Sequence, residues 1–118
     1  MDSIKIQEKY EFFLKTLNEF GLHLLNERDD EIGYWIFEEF YGDAISFLHE
    51  NNLNCLLESN YINKDIYSMS LELRKKFLLL ENSVHWNLKL VRTDKEWLSI
   101  LKLSDEIKKL ISNFCNKI

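Results

Sequence analysis

NERDDEIGYWIFEEFYGD, Asn26 to Asp43, sets seven carboxylates and five aromatic side chains beside a single Arg and no Lys. Stepping about 100° per residue from Glu31 separates this stretch and its continuation to Glu50 into two faces. Ile36, Phe40, Phe47, Ala44, Phe37, Leu48, Tyr41, Tyr34 and Ile45 share one broad arc, which predicts the face turned toward a core. Glu31, Glu38, Glu39, Gly42, Asp43, Ser46, His49 and Glu50 fill the remaining sector. The spacing predicts an amphipathic helix over Glu31–Glu50. It follows a turn at Asn26–Asp30, with Asp29 or Asp30 as its N-cap.

The same period runs through most of the chain. Ile6, Tyr10, Phe13, Leu14, Leu17, Phe20 and Leu24 recur at three- and four-residue steps, predicting a first helix over Ser3–Asn26. Gly21 weakens that helix and leaves room for a close approach or a bend. Asn51, Asn52 and Asn54 predict a break, followed by a short helical turn near Leu53–Leu57 and a loop at Ser59–Asn60. Asn63 is a good N-cap for a helix over Lys64–Glu81, whose apolar positions include Ile66, Met69, Leu73, Phe77 and Leu80.

Between Asn82 and Arg92, Val84, Trp86, Leu88 and Leu90 alternate with the period of a strand. A single strand has no partner to pair with, so a structured loop or a helical continuation is expected. Thr93 and Glu96 have capping-box spacing, with Thr93 as N-cap of a last helix running to near Asn116. Trp97, Ile100, Leu101, Ile107, Leu110, Ile111 and Phe114 form its apolar stripe.

The chain contains no Pro and only three Gly, whereas strand-rich folds need many turns built from those residues. At 118 residues, 46% of them apolar, it is long and hydrophobic enough to bury a core. The expectation is an all-α protein with one domain spanning residues 1–118. It is a bundle of four main helices with room for a short fifth. No apolar run has the length of a membrane span, and Met1-Asp2-Ser3 does not open a signal peptide. A cytoplasmic protein is expected, with Cys55 and Cys115 as buried free thiols.

Charge is unevenly spread. Residues 1–60 carry thirteen acids and four bases, whereas residues 61–118 carry seven acids and eleven bases. Either the surface is polarised toward a basic partner, or the two halves pair their charges in the fold. Trp35 falls within the acidic sector of the Glu31–Glu50 helix. An exposed Trp with a charged rim is the pattern of a binding hot spot. Alternatively, the first helix, the 82–92 segment or a second copy covers it.

No chemistry-bearing motif accompanies these features. There is no phosphate-binding loop, HExxH or nucleophile elbow, so no catalytic residue is assigned and a non-enzyme is expected. Glu-x-x-His pairs are absent and His23, His49 and His85 stand apart, so neither a metal site nor any other cofactor is expected. Arg74, Lys75, Lys76, Lys89, Arg92 and Lys95 could meet nucleic acid. In a chain with a pI near 5.2 they read more simply as solvated positions, and no direct nucleic-acid contact is expected.

In size, helical pattern and acidic character the whole chain resembles the immunity proteins of bacterial toxin systems, including those that neutralise contact-dependent growth inhibition toxins. The C-terminal part, SLELRKKFLLLENS and then TDKEWLSILKLSDEIKKLI, is similar to helical immunity proteins of this kind. The resemblance implies a cytoplasmic inhibitor, monomeric or homodimeric, whose partner is a cognate toxin domain. Many such toxins are nucleases with basic clefts. On that reading Glu27, Asp29, Asp30, Glu31, Glu38, Glu39 and Asp43 steer and pair with the partner, while Trp35 anchors it. The alternative is a helical adaptor or regulatory subunit that self-associates or docks a larger complex through the seam around Trp35.

Overall fold

A computed structural model describes residues 5–116. Among them every regular element is helical, so the chain is all-α. Helix α1 (Ile6–Asn18) leads into a 3-10 turn (Leu22–Asn26). Helix α2 (Asp29–Gly33) continues through a π-helical segment (Tyr34–Phe40) into α3 (Tyr41–Phe47). Then come α4 (Glu50–Glu58), α5 (Lys64–Glu81), a 3-10 turn (Leu88–Leu90) and α6 (Lys95–Asn116). Helices α5 and α6 pack on each other, and α1 packs against α3, α4 and α6.

The first helix is shorter than its periodicity predicts; its expected start at Ser3 lies outside the described residues. It stops at Asn18, and α6 holds the backbone just past its end. Ser104 Oγ donates to Phe20 O at 2.6 Å and Lys108 Nζ donates to the same oxygen at 2.9 Å. Extended backbone at buried Gly21 then turns the chain, and Asp105 Oδ2 accepts from Leu22 N at 3.1 Å. A Cβ at Gly21 would lie 2.3 Å from Asp105 Oδ1, so a larger residue there would push the Asp105 side chain aside.

The second helix starts at Asp29, two residues before the expected Glu31. Neither Asp29 nor Asp30 caps it; both lie in its first turn with Glu31, where the helix dipole favours negative charge. Its core face is a strict four-residue series: Ile32, Ile36, Phe40, Ala44 and Leu48 are all fully buried. In an α-helix each four-residue step overshoots a turn by about 40°, so four steps would swing the stripe about 160° off the core. A π turn takes more residues and rotates the stripe back. The π-helical segment is thus the backbone's answer to an apolar period of four. It also corrects the wheel, because Tyr34 and Ile45, expected in the core, are exposed.

The break after this helix comes at Leu48–His49, and the asparagines expected to break it sit inside α4 instead. His49 caps α4, its Nδ1 accepting from Asn51 N at 3.1 Å. Asn63 caps α5 as expected, accepting from Ile66 N at 2.9 Å. Residues 82–92 form a structured loop. At α6 the cap is Asp94, not Thr93: Asp94 Oδ1 accepts from Glu96 N at 2.9 Å, and Asp94 also pairs with His85.

The core centres on Phe20 stacked on Phe40, with ring centroids 4.1 Å apart and Phe77 set edge-on to both. Trp97, Trp86 and Phe37 extend it, and Trp97 Nε1 donates to His85 O at 2.6 Å, which fixes the 82–92 loop to α6. Cys55 and Cys115 are free thiols as expected, but they are not buried: Cys55 is half-buried and Cys115 exposed. No helix among the described residues is long and apolar enough to cross a membrane.

Candidate functional site

The site begins with Glu19, the C-cap of α1. Its side chain is only 5% exposed, at the helix end where the dipole opposes negative charge. Glu19 Oε2 accepts from Lys15 Nζ at 2.6 Å, whereas Oε1 is buried with no hydrogen-bond partner. Burial pushes this carboxyl up to about 7, with Lys15 opposing and Asp43 adding to the rise. A buried carboxylate with an orphan oxygen costs stability, which makes it a functional-site candidate.

The π-helical segment and α3 bring two further carboxylates to Glu19. Glu19, Glu39 and Asp43 each place an oxygen within 4.8 Å of the others. Lys15 Nζ is the cation they share, 3.0 Å from Asp43 and 4.0 Å from Glu39. These contacts raise the Lys15 pKa and hold it charged. Such spacing is also that of metal ligands; in this fold an ammonium of the chain itself fills the centre.

Beside this cluster lies an open cleft of about 500 Å³ lined by Lys15, Asn18, Glu19, His23, Leu24, Glu27 and Trp35. Trp35 is therefore neither a protruding anchor nor fully covered. It is half-buried, packed against the core and edge-on to Tyr34 at 5.2 Å, and it walls the cleft opposite α1 residues. Desolvation and the Lys108 ammonium push the His23 imidazole down, so it adds no positive charge to the cleft at neutral pH. Tyr34 donates to Glu39 Oε1 at 2.8 Å, a pairing five residues apart that a π turn brings onto one face.

The other expected partner-binding acids are partly engaged within the chain. Arg92 holds Asp29 at 3.0 Å and also donates to the carbonyls of Leu25 and Glu27. Arg28 pairs with Asp30 and Glu31. Among the described residues, the carboxylates of Glu27 and Glu38 have no ion pair. Seven acids along this face therefore meet three cations, Lys15, Arg28 and Arg92, and stay in excess. Several bases considered for nucleic acid have internal duties as well: Arg74 donates to the carbonyls of Ala44 and Ile45 at the end of α3, and Lys76 pairs with Glu72.

Glu27, Trp35, Glu39 and Asp43 thus converge around one cleft and cluster, while Asp29, Asp30, Glu31 and Glu38 flank them. Lys15, Glu19 and His23 join the site without having been expected there. The wheel gave no signal for Glu19, which falls about 160° from Leu17, on the side opposite the first helix's apolar stripe; the chain reaches it only because α1 ends there. Searches of family models, of curated proteins and of solved structures return no match to this chain.

Proposed function

We propose that this protein is a stoichiometric inhibitor of the immunity type, which binds and neutralises a basic toxin domain and performs no chemistry of its own. The observation that carries this reading is an acidic cleft walled by Trp35 on a π-helical segment. Glu19 and Glu27 line the cleft, the π-helical segment contributes Trp35 to its wall and Glu39 to the adjoining cluster, and π turns inside α-helices recur at functional sites. Excess negative charge steers a basic partner, and a half-buried aromatic wall gives it apolar area to cover. Nuclease clefts are basic because they hold phosphates, so a nuclease domain suits this surface.

The test is capture of the partner by the tagged protein from its own host, followed by isolation of the captured domain. A basic domain that arrests growth when expressed alone, and is silenced one-to-one by co-expression, supports the reading. Trp35→Ala should weaken that complex by about 2 kcal/mol or more, and Glu38→Lys with Glu39→Lys should slow association. A captured partner that is acidic or harmless, or that binds both variants unchanged, overturns it.

A second reading, a self-associating adaptor, draws on a different face. Leu79 and Val84 are 65% and 85% exposed at the end of α5 and in the following loop. A concentration-dependent dimer abolished by Leu79→Ser and Val84→Ser would favour it.

A further inference from the structure

We infer that the cleft beside Glu19 is a receptor for one arginine side chain of the partner, whose guanidinium displaces the Lys15 ammonium from the Glu19–Glu39–Asp43 cluster and lies against the Trp35 ring. This deepens the inhibitor reading and rests on it for the identity of the partner.

Three observations carry the inference. First, the charges do not balance. Glu19 and Glu27 line the cleft and Glu39 and Asp43 adjoin it, whereas Lys15 is the one Lys or Arg among the described residues of its lining, 2.6, 3.0 and 4.0 Å from Glu19, Asp43 and Glu39. Second, Glu19 keeps one oxygen buried and without a donor. A planar guanidinium can present two N–H groups to one carboxylate, whereas an ammonium offers single bonds from a point charge. Third, Trp35 walls the same cleft, and an indole face is the best aromatic surface for a guanidinium. The volume, about 500 Å³, lies in the range of sites that bury small ligands.

Lys15 fits the part of a placeholder. Its side chain is 56% exposed, so it can swing into solvent without disturbing the core, and it leaves behind three carboxylates already converged on one point. An arginine arriving on a partner exchanges one cation for another with more donors and an aromatic surface to cover. The carboxylates are thus preorganised by a cation that the chain supplies itself.

The experiment uses the full chain and ethylguanidinium chloride as probe. The carboxyl carbon of Glu19 and the indole N–H of Trp35 are followed by NMR, the latter assigned with Trp35→Phe. The expected result is a saturable shift of both signals with a millimolar Kd. The affinity should fall roughly tenfold in Glu19→Gln and in Glu27→Gln, and rise severalfold in Lys15→Met, where the placeholder is gone. Shifts confined to other residues, no saturation, or equal binding by the Gln variants overturn the proposal. So does calcium moving the same signals while ethylguanidinium does not, which would make the cluster a divalent-cation site. The probe needs no toxin, so the two readings can fail apart. Probe binding without any neutralised basic toxin defeats the inhibitor reading alone, and a neutralised toxin with no probe binding defeats the arginine site alone.

Discussion

Replacing Glu19 with Gln should make the protein more stable, and increasingly so as pH rises. The carboxyl titrates at 4.5 in an unfolded chain and at about 7 in the fold. The folded state therefore holds this proton more tightly. The group's contribution to stability is complete below pH 4.5, declines as pH rises from there to about 7, and stays low above it. At ~1.4 kcal/mol per unit, the shift amounts to on the order of 3 kcal/mol. Two effects compete for the sign. The ion pair with Lys15 is short, but Lys15 is 56% exposed, and such pairs contribute about 1 kcal/mol at most. Desolvation of a carboxylate that is 5% exposed, with one oxygen unpartnered, costs several times as much. Asp43 and Glu39, facing Glu19 from the adjoining helix, add repulsion.

Gln keeps the shape of Glu and removes the charge. Urea unfolding curves for the parent and Glu19→Gln across this pH window give the difference directly. The expected difference is near zero at the acid end, growing to on the order of 3 kcal/mol in favour of Gln above neutrality. A difference that stays flat, or that favours the parent at high pH, would mean the Lys15 pair outweighs burial. The assignment of Glu19 as a strained carboxylate would then be wrong.

Two other perturbations probe the framework of the site. Gly21→Ala should lower stability by about 1 kcal/mol, because its Cβ would push aside the Asp105 carboxylate that accepts from Leu22 N; an unchanged or higher urea midpoint would contradict this. Deleting Glu38 shortens the step from Ile36 to Phe40 from four residues to three. The apolar stripe then drifts by about 60° rather than about 160° in a regular α-helix. Helix content by circular dichroism should hold and stability should be roughly unchanged, while partner capture is lost; the Glu38→Ala variant controls for the missing charge. Capture surviving the deletion would show that the π geometry is incidental to binding.

What could be read from the chain, and what could not, follows from which interactions set each feature. Asn63 capping α5 and the stripe Phe13, Leu17, Phe20, Leu24 are local or periodic, so they are legible one residue at a time. The end of α1 is not, because the backbone just past it, at Phe20 O, is held by Ser104 and Lys108, more than eighty residues away. The same distance hides the internal pairing of the acids: Arg92 reaches Asp29 across sixty-three residues, and nothing in the spacing of either announces it. Thr93 and Glu96 had the spacing of a capping box, yet Asp94 won the position because it can also pair with His85.

The π-helical segment is the instructive case, since its cause was visible. Ile32, Ile36, Phe40, Ala44 and Leu48 keep a period of four, which no straight α-helix can turn toward one surface over that length. A wheel drawn at a fixed 100° assumes away the deviation such a period demands, and so it put Trp35 in the acidic sector, exposed unless another segment covered it, and Tyr34 in the core. Allowing the backbone to follow the apolar series brings Trp35 to the wall of the cleft and turns Glu39 and Asp43 toward Glu19. The residues that form the candidate site and the residues that force the helix out of α geometry therefore interleave in one stretch. The core-facing series sets the rotation, and that rotation places the acids and the indole on the opposite side.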